Sequence, residues 1–236
     1  MHPELCPHRV AIYYAPDTLS SAWQVGSKWL GRDAATRQQL HQPIVDGIAD
    51  EAMTDLTSHP RRYGWHATLK APFQLAHGHD LNTLRAGLRQ LCQGRRPFDL
   101  APLELSTRDG FLSLRPKGSQ PVLAQLAADC VQQMHRFAAP LSEKELARRR
   151  LALLSTEEDE LLMAWGYPYV LQYFQFHFSL TGPLNSFPEH LIPQLIQAAK
   201  FQFQELSAVR VDRLSIFIEP NLGDDFYLFE QIGFAP

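Results

Sequence analysis

Two segments of this 236-residue chain repeat one arrangement of residues suited to proton transfer. The first is His66-Ala67-Thr68-Leu69-Lys70-Ala71-Pro72-Phe73, and the second is His177-Phe178-Ser179-Leu180-Thr181-Gly182-Pro183-Leu184. Both read H-x-[ST]-L-x-x-P followed by an apolar residue. Of the 10 histidines, only these two open such a pattern. An imidazole has a reference pKa of about 6.5, so both protonation states are within reach near neutrality. Two imidazoles around one phosphate ester would divide acid–base work. A neutral ring takes a proton from water or a ribose hydroxyl, and a charged ring protonates the departing oxygen. Thr68 and Ser179 offer hydroxyl donors for the nonbridging oxygens.

Those side chains need strands to aim them. Around the second motif, Phe174, Phe176, Phe178 and Leu180 take one parity, and Tyr173, Gln175, His177, Ser179 and Thr181 take the other. Around the first, Tyr63, Trp65, Ala67 and Leu69 oppose Arg62, Gly64, His66, Thr68 and Lys70. Successive strand side chains point to opposite faces, so each strand buries an apolar face and presents His plus a hydroxyl on the other. By the same parity Arg62 and Lys70 become candidates for phosphate binding, Arg62 less firmly because the strand could start after it. Tyr63, Tyr167 and Tyr169 are candidates for lining a pocket or stacking on a base, with aromatic core packing as the plainer reading.

The rest of the chain reads as a duplication. Strand patterns occupy 10–14 and 63–70, and a helix over 19–30 has Ser20 or Ser21 as a cap. Residues 31–60 show no clear pattern. A helix over 80–92 carries Leu81, Leu84, Leu88 and Leu91 on one face. A hairpin over 98–115 turns at Asp109-Gly110. A helix over 121–137 follows, then two charged helical pieces within 141–165. A strand over 173–180, a helix over 188–203 and strands near 209–218 and 226–233 complete the chain. Residues 63–115 and 173–233 thus share the order strand, helix, strand, strand. The predicted class is α+β: one bilobal unit over 1–236, in which duplicated β-α-β-β units form two antiparallel sheets with a central cleft.

Composition bounds the function. Apolar residues are 45% and charged residues 20%, enough for a folded core. A net charge of -3 argues against wrapping long nucleic acid. The three cysteines, Cys6, Cys92 and Cys130, are odd in number and no two have metal-ligand spacing, which argues against a disulfide framework and fits a reducing compartment. No signal-like or membrane-length apolar stretch occurs, so a cytoplasmic location is predicted. His77-Gly78-His79 reads as a solvated turn rather than a metal site, and no metal or cofactor is predicted. Arg148-Arg149-Arg150 reads as a solvated helix face, although it could meet an anionic substrate. Glu157-Glu158-Asp159-Glu160 suits the start of a helix. No G-x-x-x-x-G-K-[ST] loop and no H-E-x-x-H occurs, which disfavours a kinase or a zincin.

The paired motifs resemble the two-histidine (2H) phosphoesterase superfamily. Nearly the full length is similar to a bacterial branch encoded beside phosphonate-utilisation genes. The similar stretches are Tyr13-Tyr14-Ala15-Pro16, Pro60 to Lys70, Trp165 to Val170 and Phe176 to Gly182. The resemblance implies a bilobal α/β fold and metal-free hydrolysis of a small cyclic phosphate, either a cyclic nucleotide or a cyclic ribose phosphate. It implies His66 and His177 as the acid–base pair, with Thr68 and Ser179 as phosphate ligands. Ser179 stands where Thr is common, and both carry the needed hydroxyl. Two further readings stay open at this stage. One is a binding module for a nucleotide or sugar phosphate, and the other is processing of RNA ends bearing 2′,3′-cyclic phosphates. The sequence leaves the oligomeric state open.

Overall fold

The computed structural model describes residues 6–206 and 209–235. In chain order it contains β1 (Arg9–Tyr14), α1 (Ser21–Leu30), α2 (Asp50–Tyr63), β2 (Ala67–Phe73), α3 (Leu81–Gln93), β3 (Phe98–Asp99), β4 (Leu103–Ser106), β5 (Phe111–Pro116), α4 (Pro121–Met134), α5 (Glu143–Arg150), α6 (Thr156–Trp165), β6 (Phe178–Pro183), α7 (Ile192–Phe203), β7 (Arg210–Val211), β8 (Arg213–Glu219) and β9 (Tyr227–Gly233). The class is α+β, with antiparallel strands throughout.

The two repeats do not form separate sheets. Their strands join in one seven-stranded sheet of order β4-β5-β6-β2-β1-β8-β9, and β3 and β7 form a small second sheet. Each repeat lends its hairpin to the other's side: β4 and β5 stand beside the second motif strand, and β8 and β9 lie beyond the first. The seam is the pair Ala67↔Phe178, which joins equivalent positions of the two motifs. The β3–β7 pair likewise joins equivalent positions, as a local two-fold relation requires. The symmetry is incomplete, because β1 stands between β2 and β8 with no counterpart on the other side.

Apolar stripes place the helices. Leu81, Leu84, Leu88 and Leu91 of α3 are buried, and α3 contacts β8 and β9. Pro121 opens α4, where its missing N–H costs nothing, and Leu123, Leu126, Ala127, Cys130 and Met134 are buried. Helix α4 contacts β2, and α2 contacts β6. Trp65 lies under the seam, its ring stacked 4.7 Å from Phe178 and 5.5 Å from Phe203. Burying an aromatic side chain of this kind contributes about 3 kcal/mol. Gly26 makes room for it, since a Cβ there would lie 2.0 Å from the indole.

Three local predictions need correction. The strand predicted from residue 63 starts at Ala67, because α2 runs through Arg62 and Tyr63. Helix α2 buries Met53, Leu56, Thr57 and Pro60 at helical spacing, with the proline in its last turn. The strand predicted from residue 173 starts at Phe178, after a 3₁₀ turn at Leu171–Tyr173. Residues 98–99 belong to the small sheet rather than to the hairpin. The hairpin itself is β4–β5 and turns at Asp109 and Gly110, both at positive φ (64° and 76°). Among the described residues, no helix is long and apolar enough to cross a membrane.

Candidate active site

Each motif histidine sits one residue before its strand, beside the seam. Ala67 faces Phe178, so the register sets His66 opposite Ser179 and Thr68 opposite His177. Ala67, Leu69, Phe176, Phe178 and Leu180 are buried, while His66, Thr68, His177 and Ser179 are half-buried. The predicted alternation therefore holds over residues 65–69 and 176–180, and the four polar side chains share one face.

The two imidazoles are held alike. His66 Nδ1 lies 2.8 Å from the Gly64 carbonyl, and His177 Nδ1 lies 2.8 Å from the Gln175 carbonyl. A carbonyl can only accept, so Nδ1 carries the proton in both rings and each Nε2 keeps its lone pair. At His66 that Nε2 is 3.3 Å from the Thr68 hydroxyl, which can donate to it.

The backbone around Gly64 explains the first of these contacts. Gly64 ends α2 at φ 78°, and a Cβ there would lie 2.4 Å from the Ala34 Cβ. Arg32 fastens the end of the helix by donating to the carbonyls of Arg61 (3.1 Å) and Phe226 (2.6 Å). The Phe226 N–H donates to the Arg62 carbonyl at 2.8 Å.

The surroundings of the rings differ. His66 stacks on Tyr13, with centroids 3.8 Å apart, and Tyr63 and Phe217 lie about its rim at 6.0 and 6.1 Å. Burial lowers its pKa to about 4; the Gly64 hydrogen bond opposes this shift and the nearby His177 adds to it. Burial also lowers the pKa of His177, with the Gln175 hydrogen bond opposing and Arg115 contributing. Arg115 donates to the Gln175 side-chain oxygen (2.5 Å), to Asp109 (2.9 Å) and to the Ser113 hydroxyl (3.1 Å). Ser113 pairs with Ser179 across β5–β6, so Ser113 and Arg115 share the polar face of β6.

The other candidates separate. Tyr13 faces Thr68, yet the adjacent Ile12 faces Lys70, so β2 carries an extra residue there. Paired residues share a face while neighbours alternate, so this bulge turns Lys70 to the face away from Thr68. The Lys70 ammonium is buried against α4, 3.5 Å from the Val131 carbonyl and 5.0 Å from the Phe73 ring. Burial lowers its pKa to about 8. Simple parity had made it a phosphate ligand, and the bulge overturns that reading. Arg62 lies in α2 rather than on the strand. It is ion-paired with the buried Glu219 carboxylate and donates to the Asp224 carbonyl.

Tyr63 stacks on Phe226 at 5.1 Å beside His66. Tyr167 is half-buried and meets Tyr169 edge-on at 5.6 Å, while Tyr169 is exposed. Sequence reasoning missed Tyr13, Ser113 and Arg115. The alternation Ser113-Leu114-Arg115 was a signal for the latter two, whereas Tyr13 shows its role only through pairing with Thr68. His79 packs edge-on against Phe137 at 5.0 Å. A hollow of about 310 Å³ lined by Gly94 to Phe98, Val122 and Leu126 holds none of the motif residues.

Comparison with known proteins gives relatives of a different length. The chain is 35% identical over 230 residues to "Ribose 1,5-bisphosphate phosphokinase PhnN" of Janthinobacterium sp. (strain Marseille), covering 96% of this chain and 51% of that protein. It is 39% identical over 220 residues to the protein of the same name from Laribacter hongkongensis (strain HLHK9), covering 93% and 50%. The chain thus spans about half the length of these relatives. Among solved structures, E. coli LigT complexed with 3′-AMP aligns over 98% of this chain and 99% of that one, at 10% identity and a TM-score of 0.43. The LigT complex with NADP+ aligns over the same shares at 11% identity and 0.44. A family model described as "Protein of unknown function (DUF1045)" matches residues 68–227, and the chain belongs to that family.

Proposed function

We propose that the protein hydrolyses a small cyclic phosphodiester to a monoester by acid–base catalysis at His66 and His177, with a cyclic ribose phosphate or cyclic nucleotide as substrate. One observation carries this reading. Two imidazoles occupy equivalent places beside the seam, each tied through Nδ1 to the carbonyl two residues earlier, which leaves Nε2 as the proton-transfer atom of each ring. Binding alone has no need of two such groups.

His66 has its pKa lowered to about 4 and suits the base. Its Nε2 takes a proton from water as the water oxygen bonds to phosphorus. His177 suits the acid. An incoming phosphate anion favours the charged imidazolium, which gives its proton to the ring oxygen as the P–O bond breaks. Thr68 and Ser179 donate to the nonbridging oxygens, where charge accumulates. Arg115 holds the Gln175 side chain, and the Gln175 carbonyl in turn holds His177, so Arg115 acts as a positioning residue. The product is a phosphate monoester with a free neighbouring hydroxyl. Sugar phosphates of that kind include the compound in the relatives' name. The kinase in that name finds no G-x-x-x-x-G-K-[ST] loop in this chain.

The test is a panel of ribose 1,2-cyclic phosphate and 2′,3′-cyclic nucleotides incubated with purified protein, with and without a chelator. Turnover with a bell-shaped pH profile, lost by several orders of magnitude in both His66→Ala and His177→Ala, is expected. Saturable binding without product would favour a binding module instead.

A further inference from the structure

We propose that the substrate carries a second phosphate, a dianionic monoester, seated by Arg149 beside Arg9, Arg62 and Tyr167. This rests on the catalytic reading above and extends it to the far end of the substrate. Arg149 projects from α5, its guanidinium carbon 5.6 Å from the Tyr167 ring centre. Its Nε is buried and, among the described residues, has no hydrogen-bond partner. It also makes no ion pair among those residues. Glu145, one turn earlier, is occupied in capping α5, where it accepts from the Ser142 N–H and hydroxyl.

Arg149 and Arg9 lie within electrostatic range of each other. Arg9 is on the polar face of β1, in register with Glu219, and bonds that carboxylate at 2.5 Å. Arg62 takes the other Glu219 oxygen. Arg9 and Arg62 therefore share one fully buried carboxylate, and Arg149 lies within electrostatic range of Arg9 and of Glu145, so three guanidinium groups face two carboxylates and one positive charge is in excess. A phosphate monoester is anionic near neutrality and would meet that excess.

The cluster is also placed for a bifunctional sugar. Tyr13, stacked on His66, lies within electrostatic range of Arg9, Tyr63 and Tyr167. One aromatic residue thus stands between the cluster and the first motif, as a substrate with a phosphate at each end requires. A buried donor without a partner is costly, and charged hydrogen bonds to an oxyanion would satisfy it.

Two measurements test this. The first is kcat/KM for ribose 1,2-cyclic phosphate with and without a 5-phosphate. The second is calorimetric binding of ribose 5-phosphate against ribose. The native protein should favour the 5-phosphorylated compound by about a hundredfold, and Arg149→Met should cut that ratio by about tenfold or more. Arg149→Lys should keep part of the preference. Arg148→Met removes the same charge from an exposed neighbour and should leave the ratio as it was. Equal preference in native protein and Arg149→Met, or no preference in the native protein, overturns the proposal. Should neither cyclic compound turn over, the catalytic reading fails. The second-phosphate site then stands if ribose 5-phosphate binding weakens selectively in Arg149→Met, and falls if it does not.

Discussion

Replacing His66 with Asn removes one titrating ring yet keeps a side-chain N–H able to reach the Gly64 carbonyl. The folded protein holds His66 near pKa 4, while an unfolded chain returns it to about 6.5. A depressed histidine leaves stability intact above the unfolded value. As pH falls, the unfolded state takes up the proton first and the folded state loses ground. Integrated from pH 7.5 to pH 5, that single ring costs about 2 kcal/mol, a ceiling because its edge still meets solvent. Other groups titrate over the same window, His177 and His59 among them, both lowered by burial. The informative quantity is therefore the difference between native protein and His66→Asn, from urea unfolding at half-unit steps of pH. The native curve should fall more steeply below pH 6.5, and the gap should widen by 1–2 kcal/mol, roughly. Parallel curves would show that burial does not hold this ring neutral, and the assignment of His66 as the base would go with it.

Lys70→Met should keep kcat/KM within about twofold, since the ammonium lies behind the sheet against α4. It should raise stability by up to about 3 kcal/mol at pH 7, a gain that fades as pH rises from 8 towards 10.5; a hundredfold loss of activity would return that ammonium to the catalytic face. Thr68→Val should lower kcat by about a hundredfold while Thr68→Ser retains most of it, and equal activity in the two variants would deny the hydroxyl its role. Gly64→Ala forces a side chain into a left-handed conformation and against Ala34, so thermal unfolding should show a loss of about 2 kcal/mol or more together with lost activity. Normal melting in that variant would mean the turn before His66 is not strained in the way its φ implies.

The motif strands were legible because their alternation is strict: apolar and polar residues separate cleanly around His66 and His177. The leucine stripe of α3 and the Asp109-Gly110 turn were equally plain, being local signals. Helix α2 was not. Ala49 offers no side-chain cap, and Pro60 sits inside the helix, so its stripe at Met53, Leu56, Thr57 and Pro60 was hidden behind a residue that usually ends helices. Lys70 was misassigned because period-two counting assumes an unbroken ladder, and a bulge is a property of two strands together. The exchange of hairpins between repeats was out of reach for the same reason: each repeat reads alike whichever motif strand its hairpin joins. Arg149 looked like one of three solvated arginines until the positions of Arg9 and Tyr167 were known.

The pairing of Ala67 with Phe178 has an evolutionary corollary. Contacts between like positions about a two-fold axis are those that two identical molecules make when they associate. A half-length ancestor with a single H-x-[ST] strand would thus have brought two such histidines together by self-association, each copy supplying one. Fusion of the genes would then have freed each half to diverge, the first acquiring an additional strand beside its histidine.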